Sequence, residues 1–114
     1  MSRSASDTDY HLDVDDVGHF VFARRMMRDE MRIAAEFSRL TEGVDTPTTY
    51  LAQMCTWMAT LKVLLVEGPT GWDVDTLDPL EQDSYDKILL VYGALRAKEE
   101  DFRRQAKAGV KARR

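Results

Sequence analysis

The chain has 114 residues, room for one domain and a small core. A formal net charge of -4 argues against nucleic acid as the main partner, because phosphate binding wants a positive field. The single cysteine, Cys55, excludes an intramolecular disulfide, and no stretch reaches the ~18 consecutive apolar residues of a membrane span.

Residues 1–9 are small and polar, lack the apolar core of a signal peptide, and are expected to be disordered. Residues 10–22 (YHLDVDDVGHFVF) hold two runs of β-formers around a turn. A three-residue loop, Asp16-Val17-Gly18, predicts a hairpin with Val14 opposite Phe20 and Leu12 opposite Phe22. His11, Asp13 and His19 then face water, and the apolar face of the hairpin lies on the helices.

A first helix is predicted over residues 23–43. Met26, Ile33, Phe37, Leu40 and Val44 share its apolar stripe, Arg28, Arg32 and Arg39 lie opposite, and Gly43 is the stop. A second helix is predicted over 46–67, capped by Asp45 or Thr46 with Pro47 in its first turn. Tyr50, Leu51, Met54, Trp57, Met58, Leu61, Leu64 and Leu65 fill half its circumference, and small residues fill most of the rest. Such a helix needs cover on nearly every side, more than two helices and a hairpin supply, so self-association or a long apolar partner is expected.

Residues 68–77 (GPTGWDVDTL) form a loop that Trp72 pins to the core. A third helix starts at Asp78-Pro79-Leu80-Glu81, carries Tyr85, Ile88, Tyr92, Leu95 and Phe102 at helical spacing, and stops near residue 104. Asp83–Lys87, Glu99–Arg103 and Glu100–Arg104 are its expected ion pairs. The predicted fold class is mainly α with a short N-terminal β-hairpin, a small α+β domain of three helices packed around a central apolar helix. Its expected bounds are residues 10–104, followed by a flexible basic tail over 105–114. Residues 63–86 carry acids and no Lys or Arg, whereas the last twelve carry six basic residues and no acid, so these segments can attract each other within or between chains.

Catalytic chemistry has little support. Asp13-Val14-Asp15-Asp16-Val17-Gly18 begins like a calcium loop but puts Arg24 where a bidentate Glu is required, and Asp73–Asp78 lacks the glycine. Both clusters read as turn and cap residues. His11 and His19 have no further ligands at metal spacing, and Cys55 sits in the most apolar helix without a neighbouring base. Gly68-Pro69-Thr70-Gly71 lacks the Gly-Lys-Ser/Thr of a phosphate loop. No cofactor, metal or enzymatic role is expected.

Two features point to protein binding. Arg24, Arg25, Arg28, Arg32 and Arg39 form either a solvated face paired with Asp29, Glu30 and Glu36 or a docking ridge for an acidic surface. Met54 and Met58 read as core filling, whereas Met27 and Met31, at the edge of the stripe, are candidates for an exposed groove that takes apolar helices. The candidate protein-binding surface is therefore Met27, Met31, Arg28, Arg32 and Arg39.

The segments FVFARRMMRDEMRIAAEFSRLTEG, MATLKVLLVEGPTGWDVDTLDP and VYGALRAKEEDFRR, in this order and size, resemble the tail assembly chaperones of long-tailed bacteriophages and prophages. The likeness is one of overall pattern over residues 10–104. It implies binding to the long helical tape measure protein, which such chaperones keep soluble in the host cytoplasm while tail tube protein assembles around it. It further implies absence from the finished particle and, in many members, a longer frameshifted form, for which the end KAGVKARR offers a place. The alternative from a different class is a structural tail or connector protein that self-assembles and stays in the virion.

Overall fold

The computed structural model describes residues 4–42, 44, 46–77 and 81–112. In chain order come β1 (Tyr10–Val14), β2 (Gly18–Phe22), α1 (Met27–Thr41), α2 (Thr49–Leu64), β3 (Leu65–Glu67), a 3-10 turn (Val74–Thr76) and α3 (Gln82–Ala112). The class is the mainly helical small α+β that the sequence pattern predicts. The hairpin, however, belongs to a three-stranded antiparallel sheet of order β1-β2-β3.

The hairpin register differs from the expected one by two residues: Leu12 faces Phe20 and Val14 faces Gly18. An even slip keeps each side chain on its face, so Leu12, Val14, Phe20 and Phe22 are all buried as the alternation requires. The turn residue in the left-handed region is Asp16, at φ 64°, a conformation that a short polar side chain tolerates. Gly18 serves another contact. At φ 142° it packs on Pro69, and a Cβ there would stand 2.9 Å from the proline ring.

β3 occupies residues that the apolar periodicity assigns to the end of the second helix. Leu65 pairs with Phe22 and Glu67 with Val21, across a bulge, and the Ala23 N–H donates to the Leu64 carbonyl at 2.8 Å. The free edge of β2 thus captures this segment, a tertiary choice that local propensity does not encode. The same contact delays α1. Phe22 and Ala23 stay extended and buried, and the helix begins at Met27, where the buried Asp29 carboxylate accepts the Met26 N–H at 2.8 Å.

On α1, Ile33 is buried and Phe37 and Leu40 are half-buried, but Met26 and Val44, expected on this stripe, are half-exposed because both lie outside the helix. The helix closes at Glu42 in the left-handed region; the expected stop, Gly43, lies outside the described residues. α2 is capped by Thr48, whose hydroxyl accepts the Leu51 N–H at 3.2 Å. Thr46 therefore does not cap it, and Asp45 lies outside the described residues.

The buried residues of α2 are Met54, Cys55, Ala59, Thr60, Leu61 and Leu64, spread around most of its circumference. The Thr56 and Thr60 hydroxyls donate to carbonyls four residues back, at 2.7 and 2.8 Å, which satisfies them. α2 packs against α1, α3 and the 3-10 turn, and the Trp57 ring lies 6.2 Å from Tyr85 and 5.7 Å from Tyr92. The expected shortfall of cover is therefore absent along most of its length, and Tyr50 in the first turn is its exposed large apolar residue. The 3-10 turn supplies a surface that a count of two helices and a hairpin omits.

Trp72 does pin the 68–77 loop, meeting Phe20 edge-to-face at 4.9 Å. Asp73 caps the 3-10 turn by accepting the Asp75 N–H at 3.0 Å. The predicted start of α3 at Asp78, Pro79 and Leu80 lies outside the described residues. Its core side is Ser84, Ile88, Val91 and Leu95. The helix continues to Ala112 rather than stopping near 104. Phe102, expected in the core, is half-exposed just before this extension, with the Arg24 guanidinium 5.0 Å from its ring centre.

Candidate functional site

The solvent face of α1 follows from its core face. With Ile33, Phe37 and Leu40 turned inward, 100° steps set Met27, Met31, Ala34, Ala35 and Ser38 outward, flanked by Arg28 and Arg32. Met27 is 77% exposed and Met31 70% exposed. Successive turns place them side by side, so they form a continuous apolar ridge. Arg28 and Arg32 border it, are exposed, and form no ion pair among the described residues. Four of the five residues singled out from the sequence thus come together on one surface.

Arg39 does not join them functionally. Its Nε donates to Glu36 at 2.9 Å, and its guanidinium reaches Asp75 at 3.4 Å. Lys62 Nζ lies 2.7 Å from Asp75 and 3.2 Å from Glu36. These four charges tie α1, α2 and the 3-10 turn together. The hydrogen bond from Arg39, with help from Lys62, holds the Glu36 carboxyl below the usual carboxylate range although burial opposes it. Arg39 therefore differs from Arg28 and Arg32 in being ion-paired between elements. The acidic middle of the chain finds a basic partner here, in helices 1 and 2.

Arg24 and Arg25 are also committed within the chain. Arg25 donates through Nε to Glu99 at 3.1 Å and pairs with Glu30 at 2.9 Å, while Arg24 covers Phe102. Glu99 takes Arg96 at 2.7 Å as well, so the expected Glu99–Arg103 pair is replaced by a link from the β2–α1 connection to α3. Glu100 reaches Arg96 and Arg103 rather than Arg104, and Asp83–Lys87 forms as expected at 3.1 Å.

The methionines stand on a ridge, not in the expected groove. A groove of about 510 Å³ does lie beside it, between residues 4–9 and the start of α1, lined by Met26, Arg24, Arg28 and Arg32 with Ser6 and Asp9 opposite. Met26 is the residue that periodicity misplaces: counted as helical it falls in the core, but one residue before the helix it faces solvent. Met54 is buried and Met58 half-buried, consistent with core filling.

His11 and His19 lie 5.8 Å apart, and His19 Nδ1 is 2.8 Å from Asp13 on the exposed hairpin face. Among the described residues no group of three or more His, Cys, Asp or Glu could hold a metal ion. Cys55 is buried, and burial pushes its thiol pKa up, away from the reactive thiolate. No described helix is long and apolar enough to cross a membrane.

Comparison with protein-family models, with curated proteins and with solved structures finds no match for the chain.

Proposed function

We propose that the chain is a phage tail assembly chaperone that binds and solubilises the tape measure protein in the host cytoplasm during tail morphogenesis. The observation that carries this reading is the Met27–Met31 ridge, flanked by Arg28 and Arg32, which form no ion pair among the described residues. Methionine is flexible and polarisable, so one ridge fits many apolar helix faces in succession along a long partner. The two arginines suit acids that border those faces and favour encounter more than tight retention. Such a contact is reversible, as a chaperone displaced by tail tube protein requires. In this reading α2 is the central helix around which the domain is built, α1 is the presenting helix, and no step is catalytic.

Co-expression with a phage tape measure protein tests the proposal. The partner should become soluble and co-elute on a sizing column, and Met27→Gln with Met31→Gln should abolish both effects. An insoluble partner with no complex would refute it. The second reading, a virion component, draws on the exposed Leu89 and Leu90 of α3, apolar side chains that suit permanent assembly. Mass spectrometry of purified particles distinguishes the two, since a chaperone is missing and a structural protein is present.

A further inference from the structure

The groove of about 510 Å³ beside the start of α1 has one polar wall and one basic wall. The polar wall, residues 4–9, is braced by its own hydrogen bonds. The Ser6 N–H donates to the Asp9 carboxylate at 2.8 Å, and the Asp9 N–H to the Ser6 carbonyl at 3.2 Å. The basic wall is Arg24, Arg28 and Arg32, with Met26 among them. Asp9 is the one acid lining the groove, and none of the three arginines forms an ion pair among the described residues. The neighbouring acids are committed elsewhere. Asp29 is fully buried and accepts the Met26 N–H at 2.8 Å. Glu36 is held by Arg39 and Lys62, and Glu30 by Arg25 at 2.9 Å.

The groove and the methionine ridge share one pitch. Met27 and Met31 are a helical turn apart, as are Arg28 and Arg32, and each step is ~6 Å along α1. Around the axis, Met31, Arg28 and Arg32 stand about 40°, 100° and 140° from Met27, so the arginines border the ridge on one side only. Glu30 borders it on the other, about 60° from Met27. A second helix laid along α1 repeats this pitch. It can set apolar side chains on the methionines and, on one border, carboxylates on the arginines, where a planar guanidinium receives both carboxylate oxygens. A phosphate surface, of nucleic acid or lipid, is negative across its whole breadth and would meet Glu30 and Asp9 as well as the arginines.

We infer that the ridge and groove together take an amphipathic helix that carries carboxylates at four-residue spacing along one border of its apolar stripe, with those carboxylates on Arg28, Arg32 and Arg24. The inference rests on the ridge reading above and names the chemistry of the partner. The methionines adapt to the apolar stripe whatever its residues, so the arginines supply the selection among helices.

Fluorescence anisotropy of the full chain with a labelled synthetic amphipathic helix tests it. The probe carries leucines along one face and glutamates four residues apart on one border, and its twin carries lysines in place of the glutamates. Wild type should bind the glutamate peptide roughly tenfold more tightly than the lysine peptide, a difference that shrinks as salt is raised. Arg28→Glu with Arg32→Glu should reverse the preference with an unchanged far-UV circular dichroism spectrum. No binding, equal binding of both peptides, or a variant that still prefers glutamate would overturn the inference. So would single-stranded DNA or phosphatidylserine vesicles that displace the glutamate peptide. A preference for glutamate beside a tape measure protein that stays insoluble would refute the chaperone reading alone. A solubilised tape measure protein without that preference would refute this inference alone.

Discussion

Leu61 shows how completely the core is enclosed at a single position. It is fully buried on α2, within the same cluster as Phe20, Phe22, Ile88 and Leu95. Leu61→Ala removes an isopropyl group from a site fixed by sheet and helices together, so unfolding should become easier by ~2–5 kcal/mol. Urea denaturation measures this, and an unchanged midpoint would contradict the packing of α2. Trp72 shows a different residue-scale solution. Its indole nitrogen is buried with no hydrogen-bond partner among the described residues, and its ring stacks edge-on to Phe20. Packing, not a hydrogen bond to the indole, holds the Trp72 ring in place. Gly18 was legible as a special position from its place after two aspartates, but its reason was not, because Pro69 lies far along the chain and only folding brings the two together.

Between elements, charge does what apolar packing leaves undone. Glu36, Arg39, Lys62 and Asp75 join α1, α2 and the 3-10 turn at the edge of the core. Because Arg39 and Lys62 lower the Glu36 pKa in the folded state, its contribution to stability is present above the ordinary carboxylate pKa and is lost as pH falls through the lowered one. Denaturation of wild type and Glu36→Gln across acid pH should therefore show wild type more stable near neutrality and the two converging as the solution is acidified. A constant gap would assign the effect to packing rather than charge. Helix periodicity identified α1, α2 and α3 as elements, and cap residues and breakers placed them approximately. It could not reveal β3, because Leu65, Val66 and Glu67 continue an apolar helical pattern and become a strand only when the edge of β2 lies beside them.

At the scale of the whole molecule, α1 and α3 each turn large apolar side chains outward, Met27 and Met31 on the first and Leu89 and Leu90 on the second. The ridge side chains are exposed and lie outside the core, so Met27→Gln with Met31→Gln should shift stability by no more than about 0.5 kcal/mol, with helix propensity nearly unchanged. Thermal melting checks this. A large drop would mean that the ridge is structural. Of the candidate surface, Met27, Met31, Arg28 and Arg32 could be found from helical spacing alone, whereas Arg39 sits on the same side of the wheel and is taken by Asp75, a residue that lies 36 positions away. No wheel drawn for one helix contains that partner.

Amphipathic spacing, turn residues and helix caps are local properties, so the mainly helical class, the buried face of the hairpin and the outward methionines were already set by the order of amino acids. Hairpin register, the third strand, the late start of α1 and the commitment of Arg39 depend on which distant segments compete for the same backbone groups and charges. The burial of α2 belongs with them. A helix shows how much apolar surface it carries, but only the assembled chain shows that its own sheet, turn and neighbouring helices cover most of that surface.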